Sequence, residues 1–172
     1  VQPVCWAVLR DELRPDAQTT LAYFEQQGVT VKVISGDNAQ SAARVAQSAG
    51  IAGAQNFLDC AALPEEADFG PYCEATAVFG RVSPRHKQAI IRALQEKGHR
   101  VAMVGDGVND VLAQKQADCS VAMAGGSDAA GQTAQLVLLD AQFSAMPHIV
   151  REGRRVIANI SRSATLFLVK NI

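Results

Sequence analysis

Short apolar runs alternating with helix-period segments constrain this chain more than any other feature. Residues 4–9 read as a strand; Arg14-Pro15-Asp16 opens a helix with Ala17, Leu21 and Phe24 on one face, and Gly28 stops it. Residues 29–34 read as a second strand, rich in β-branched residues. Asn38 starts a helix with Ala39, Ala42, Ala43, Ala46 and Ala49 inward, and Gly50 ends it. Residues 51–76 are the least regular part, with a short helix expected near 61–67. The alternation then resumes with strand 77–79, a helix begun by Ser83-Pro84 and stopped by Gly98, strand 100–104, helix 108–116 and strand 119–123. A Gly-rich turn and strand 136–139 follow, and from Ser144 a helical pattern runs to the end. Repeated βαβ units predict an α/β fold with a doubly wound parallel sheet and right-handed crossovers. The expected division is a body over residues 1–143 and a helix over 144–172.

Composition narrows the function classes. With 172 residues, 48% of them hydrophobic and 19% charged, the chain can bury one well-packed core. A formal net charge of −1 gives no whole-chain attraction to nucleic acid, so no nucleic-acid partner is expected. Cys5, Cys60, Cys73 and Cys119 lie far apart, without the spacing of a zinc site, and read as idle thiols. The scattered histidines read as bystanders.

The chemistry concentrates in loops that follow strand ends, where open α/β sheets put their ligands. The run Val104-Gly105-Asp106-Gly107-Val108-Asn109-Asp110 ends a strand in Gly-Asp-Gly and places a second carboxylate four residues after the first. Two hard carboxylates beside exposed backbone N–H groups suit a Mg²⁺ that also touches a phosphate. Ser35-Gly36-Asp37-Asn38 offers a hydroxyl and free N–H groups at a helix N-terminus, an anion site or an ordinary helix cap. Arg81-Val82-Ser83-Pro84-Arg85-His86-Lys87 puts Lys87 in a first helical turn, where the helix dipole disfavours a cation. Neutralising a phosphoryl group is one reason for it to be there, and a solvated surface lysine is the other. Together the loops fit phosphoryl transfer, which is mainly positioning and charge neutralisation.

These motifs, in this order, resemble the haloacid dehalogenase superfamily, and within it the phosphorylation domain of cation-transporting P-type ATPases. The similarity rests on Ser35–Asn38 as a TGDN-like turn, Arg81 to Lys87 as RVxPxxK, GDGVND at 105–110, and Lys115-Gln116-Ala117-Asp118 with Val121-Ala122-Met123. Asp11 to Asp16 stands where that family has a DPPR-like segment, and Glu152-Gly153-Arg154-Arg155 resembles its exit toward the membrane. Departures are Ser35 for Thr, Gln114 for Leu and Ser120 for Gly. The resemblance implies a Rossmann-like, haloacid dehalogenase-type sheet with a C-terminal stalk helix, and Mg²⁺ and ATP as cofactors. It implies that Asp106 and Asp110 serve the metal, that Ser35, Gly36, Asp37, Lys87 and Asn109 surround the phosphoryl group, and that Asp11, Arg14 and Arg81 lie on the nucleotide side.

Such pumps use an aspartate nucleophile in a DKTGT motif. Neither DKTGT nor the DxD of simpler phosphatases occurs in this sequence. The expectation is therefore a fragment of a pump, the cytoplasmic domain of a cell membrane protein, unable to turn over alone and serving transport of Ca²⁺ or Mg²⁺. The alternative is a stand-alone soluble phosphatase of the same superfamily.

Overall fold

A computed structural model describes residues 4–5, 13–140 and 142–170. The strand expected at 4–9 falls almost wholly outside the described residues, as does Asp11. Helix α1 (Ala17–Gln26) leads into strand β1 (Val33–Ile34) and helix α2 (Ala39–Ser48). Asn38 caps α2, its Oδ1 accepting the N–H groups of Gln40 at 3.0 Å and Ser41 at 3.3 Å. Strand β2 (Phe57–Asp59), strand β3 (Val78–Gly80) and helix α3 (Pro84–Glu96) follow. The predicted Ser-Pro start of α3 is realised, with Ser83 Oγ accepting the His86 N–H at 3.2 Å and Pro84 in the first turn. The second half comprises β4 (Ala102–Gly105), α4 (Val111–Gln116), β5 (Cys119–Met123), α5 (Asp128–Thr133), β6 (Leu136–Leu138) and α6 (Met146–Lys170).

Every strand pairing is parallel, but the ladder is not continuous. One sheet has the order β1-β3-β2 and the other β4-β5-β6. In β3 the side chains of Val78 and Phe79 point to opposite faces, and both are fully buried. Val78 meets Ala43 and Ala46 of α2, while Phe79 meets Phe69, Cys73 and Ile90. The alanine face of α2 allows a very close approach. A Cβ on Gly80 would stand 2.2 Å from the Ala39 Cα, so only glycine fits at the end of β3.

Helix α3 joins the two sheets. Ile90, Ala93 and Leu94 pack into the core of the first, and the neighbouring Ile91 packs against Met103 and Ala113 of the second. Helix α6 is rooted by Met146 and Ile149 among Val121, Leu138, Phe24 and Phe143. Arg154 donates to Gln27 beside α1. Beyond that point Val156, Ile157, Ile160, Leu166, Phe167, Leu168 and Val169 are all exposed. Among the described residues, no helix is long and apolar enough to cross a membrane.

The irregular region holds two differences from expectation. Residues 57–59 form an edge strand, and in place of a helix near 61–67 there is a single 3-10 turn, Cys60–Ala62, capped by Asp59 and ended before Pro64. The Gly-rich turn after β5 also contains a short helix, α5, capped by Ser127 Oγ on the Ala130 N–H at 3.1 Å.

Candidate active site

The motif loops sit at the carboxyl ends of β1, β3, β4 and β5 and are stitched to one another. The Ser35 hydroxyl donates to Asp37 Oδ2 and accepts the Asp37 N–H, both at 3.1 Å, which closes the tight turn before α2. That turn is tied to the loop after β3 by two backbone bonds. The Arg81 N–H donates to the Asp37 carbonyl at 2.7 Å, and the Val82 N–H to the Ser35 carbonyl at 3.0 Å. Arg81 reaches this geometry with φ of +50°, the left-handed region that L-residues rarely adopt. Its guanidinium is held by Asp59 at the end of β2, with Nε donating at 2.8 Å to Oδ1 and 3.0 Å to Oδ2. That hydrogen-bonded charge holds the Asp59 carboxyl below the usual carboxylate range. Gly36 and Asp37 are exposed at the tip of the turn, and Ser35 is half-buried.

Lys87 and Asp110 come together. Lys87 Nζ donates to Asp110 Oδ1 at 2.7 Å, with only 12% and 9% of the two side chains exposed. The second carboxylate oxygen of Asp110 accepts the Gly107 N–H at 3.1 Å. Both oxygens are thus engaged within the protein. A Cβ on Gly105 would lie 2.6 Å from the Asp110 Cβ, so the strand-ending glycine is what lets Asp110 fold back under its own loop.

Asp106 and Asn109 differ from Asp110 in being exposed. Among the described residues the Asp106 carboxylate forms no hydrogen bond or ion pair, while its backbone is held firmly. The Asp106 carbonyl accepts the Ser127 N–H at 2.7 Å, and a Cβ on Gly126 would stand 2.4 Å from that same oxygen. Arg14, Asp106, Gly125, Gly126, Met123 and Phe143 line an open depression of about 420 Å³ over the ends of β4 and β5. A rigidly mounted, solvent-facing carboxylate beside such a depression is the donor chemistry that Mg²⁺ prefers. Among the described residues no three His, Cys, Asp or Glu side chains cluster to hold a metal by themselves.

The loop sequences revealed these residues but not their supports. Asp59, Gln114 and Gly126 each act through contacts made on folding. A Gly-Gly-Ser run after β5 marks a fourth strand-end loop and is the one signal that could have pointed to Gly126. His86 is a packing residue. It is buried edge-on to Phe69 with ring centroids 5.4 Å apart, and its Nε2 donates to the Pro64 carbonyl at 2.8 Å.

The chain matches known proteins in sequence and in fold. The haloacid dehalogenase-like hydrolase family matches residues 2–118. The chain is 52% identical over 173 aligned residues to "Calcium-transporting ATPase CtpE" of Mycobacterium tuberculosis, covering all of this chain and 22% of that protein. It is 45% identical to "Probable cation-transporting ATPase exp7" of Streptococcus pneumoniae, again over its whole length and 22% of the relative. It therefore spans about a fifth of the length of the curated relatives it matches. Among solved structures, a zinc-transporting PIB-type ATPase in the E2.Pi state superposes with a TM-score of 0.70 at 27% identity, over 89% of this chain and 21% of that one. Fold, motif loops and matched sequence agree, and the chain belongs to the haloacid dehalogenase-like hydrolase family, with a likeness to cation-transporting P-type ATPases along its whole length.

Proposed function

We propose that this chain is part of the phosphorylation domain of an ATP-driven membrane cation pump, and that it holds Mg²⁺ and the phosphoryl group while an aspartyl phosphate forms and is hydrolysed. The observation that carries this reading is a free, rigidly mounted Asp106 carboxylate on the same loop as Asp110, whose largely buried ion pair with Lys87 ties that loop to α3. Mg²⁺ at Asp106 would supply charge neutralisation between the carboxylate and the phosphoryl oxygens.

The chain's own residues then have distinct tasks. Asp106 would hold the metal, and Asp110, already bonded on both oxygens, would support the ion directly or through water while it aims Lys87. Lys87 offsets phosphoryl charge, and the Ser35 hydroxyl, the Gly36 N–H and the Asn109 amide bind phosphoryl oxygens. Asp37 shapes the turn that presents Ser35. Arg14 and Arg81 would serve the nucleotide side, a role the family resemblance also gives to Asp11, which lies outside the described residues.

The nucleophile comes from a segment outside this chain. The absence of DKTGT and DxD supports this. So do the positions of β1 and β4, each at one end of its sheet among the described residues and each with a motif loop at its carboxyl end. A parallel strand delivering an aspartate could pair with these edges. The full polypeptide would be a membrane protein with this domain on the cytoplasmic side, and α6 would lead toward the transmembrane helices. The names of the relatives favour Ca²⁺ as the transported cation, with Mg²⁺ the alternative.

The test is phosphorylation of the full-length protein by ATP. A hydroxylamine-sensitive phosphoenzyme that requires Mg²⁺ and is lost in Asp106→Asn is the expected result. Hydrolysis of p-nitrophenyl phosphate by the 172-residue chain alone, abolished by Asp106→Asn, would overturn the pump reading in favour of a stand-alone phosphatase.

A further inference from the structure

Gln114 lies on α4 and is 2% exposed, on the helix face that carries Ala113 into the core. A glutamine there is costly. Its Oε1 is buried without a partner, and an unsatisfied buried acceptor costs about 1–3 kcal/mol. Leucine or methionine would fill the same space with no polar atom to satisfy. A residue that breaks a packing rule in the core warrants a search for what its polar end accomplishes.

Its amide nitrogen has a specific task. Nε2 donates to the Gly105 carbonyl at 3.1 Å and to the Val121 carbonyl at 3.4 Å, so one side chain ties α4 to the end of β4 and to β5. Both acceptors are carbonyls, which fixes the orientation of the amide. The Gly105 carbonyl belongs to the peptide unit whose other end is the Asp106 N–H. The peptide unit on the other side of Asp106 is held by the Ser127 N–H on the Asp106 carbonyl, and by the Gly107 N–H on Asp110. Gln114 and Ser127 therefore clamp the two planes that flank the Asp106 Cα. Because each peptide is rigid, holding both planes fixes the Asp106 Cα–Cβ bond, and so the point from which the carboxylate reaches the metal.

We infer that Gln114 is a positioning residue that sets the Asp106 carboxylate for Mg²⁺ and thereby raises the Mg²⁺ affinity of the site. This rests on the reading of Asp106 as metal ligand. Replacing Gln114 by leucine removes the clamp together with the orphaned Oε1. The Gly105 and Val121 carbonyls lose a donor as the orphaned Oε1 disappears, two opposed effects that leave stability near the parent's while the metal loop loses its preset direction. A residue that served structure alone would show the opposite pattern.

The experiment compares full-length parent protein with Gln114→Leu, Gln114→Met and Asp106→Asn. Three quantities are measured: Mg²⁺ binding by calorimetry, the Mg²⁺ half-saturation and maximum of phosphoenzyme formation, and the thermal midpoint. Both Gln114 variants are expected to weaken Mg²⁺ binding and raise its half-saturation by roughly threefold to tenfold, the size set by one neutral hydrogen bond. Their maximal phosphorylation and thermal midpoint should stay close to those of the parent. Unchanged Mg²⁺ affinity in a folded Gln114 variant, with Asp106→Asn binding poorly, overturns the role of Gln114 alone. Undiminished Mg²⁺ binding in Asp106→Asn overturns the metal-ligand reading beneath it. Lower stability and lower maximal phosphorylation at unchanged half-saturation would reduce Gln114 to a structural residue.

Discussion

Lys87 and Asp110, 23 positions apart on α3 and at the start of α4, share a 2.7 Å ion pair from which water is largely excluded. Breaking such a pair from one side leaves an uncompensated charge in a poorly solvated place. Lys87→Met should therefore destabilise the fold by about 3 kcal/mol. Lys87→Met combined with Asp110→Leu should recover most of that loss, since neither charge then remains. Urea denaturation of the two single variants and the double variant measures the coupling, and simple additivity would contradict it.

Gly126 is pressed against the Asp106 backbone, and the space there decides a second prediction. Gly126→Ala introduces a Cβ that must displace the Asp106 carbonyl, at a cost of about 1–3 kcal/mol. It should also impair Mg²⁺-dependent phosphorylation of the full-length protein. Gly153→Ala is the control: nothing lies within 4 Å of its added Cβ, and an exposed helical alanine is favoured over glycine by about 1 kcal/mol. Equal thermal midpoints for the two variants would refute the steric argument.

Arg81 holds a left-handed backbone conformation while paired with Asp59. Arg81→Ala and Arg81→Gly both delete the ion pair, but only glycine adopts that backbone without strain. The glycine variant should be the more stable of the two by about 1 kcal/mol in chemical denaturation. The reverse ranking would mean that the φ of +50° is not maintained.

Asp118 gives the clearest pH dependence. Its carboxylate accepts the Val101 N–H at 2.9 Å, Gln95 Nε2 at 3.0 Å and Arg100 Nη1 at 2.8 Å. These bonds, the Val101 N–H foremost, hold it well below the ordinary carboxylate range. A depressed folded-state pKa contributes stability that is fully present above the unfolded value of about 4 and fades as pH falls toward the folded one. Asp118→Asn should thus be less stable than the parent at pH 7. The difference in urea midpoint should shrink as pH drops from about 4 toward 3. A constant difference across that range would assign the effect to shape and not to charge.

Elements announced by local chemistry were legible in the sequence. Asn38 and Ser83-Pro84 are caps that act within one turn, and both helices begin where those residues stand. Strand β5 is apolar on its own account and has the expected bounds, Cys119–Met123. Strand β2 was not legible, because Phe57 and Leu58 alone are too short a run and become a strand only by pairing with Val78 and Phe79. Whether β1 and β4 belong to one ladder is likewise a long-range matter that periodicity does not encode. The site divides in the same way. Ser35, Lys87, Asp106 and Asp110 lie in compact motifs, whereas Asp59 meets Arg81 across 22 positions and Gly126 meets Asp106 across a strand.

Helix α6 has a mechanical consequence. Its 25 residues extend about 37 Å at 1.5 Å per residue, and its packed contacts lie at the Met146 end, against Phe24, Phe143, Val121 and Leu138. It is a lever with its fulcrum beside the strand that ends near Gly126. A tilt of about ten degrees at the root would sweep the far tip through about 6 Å, given that length. Repacking of the Val121–Leu138–Met146 cluster would thereby be converted into displacement at a remote point.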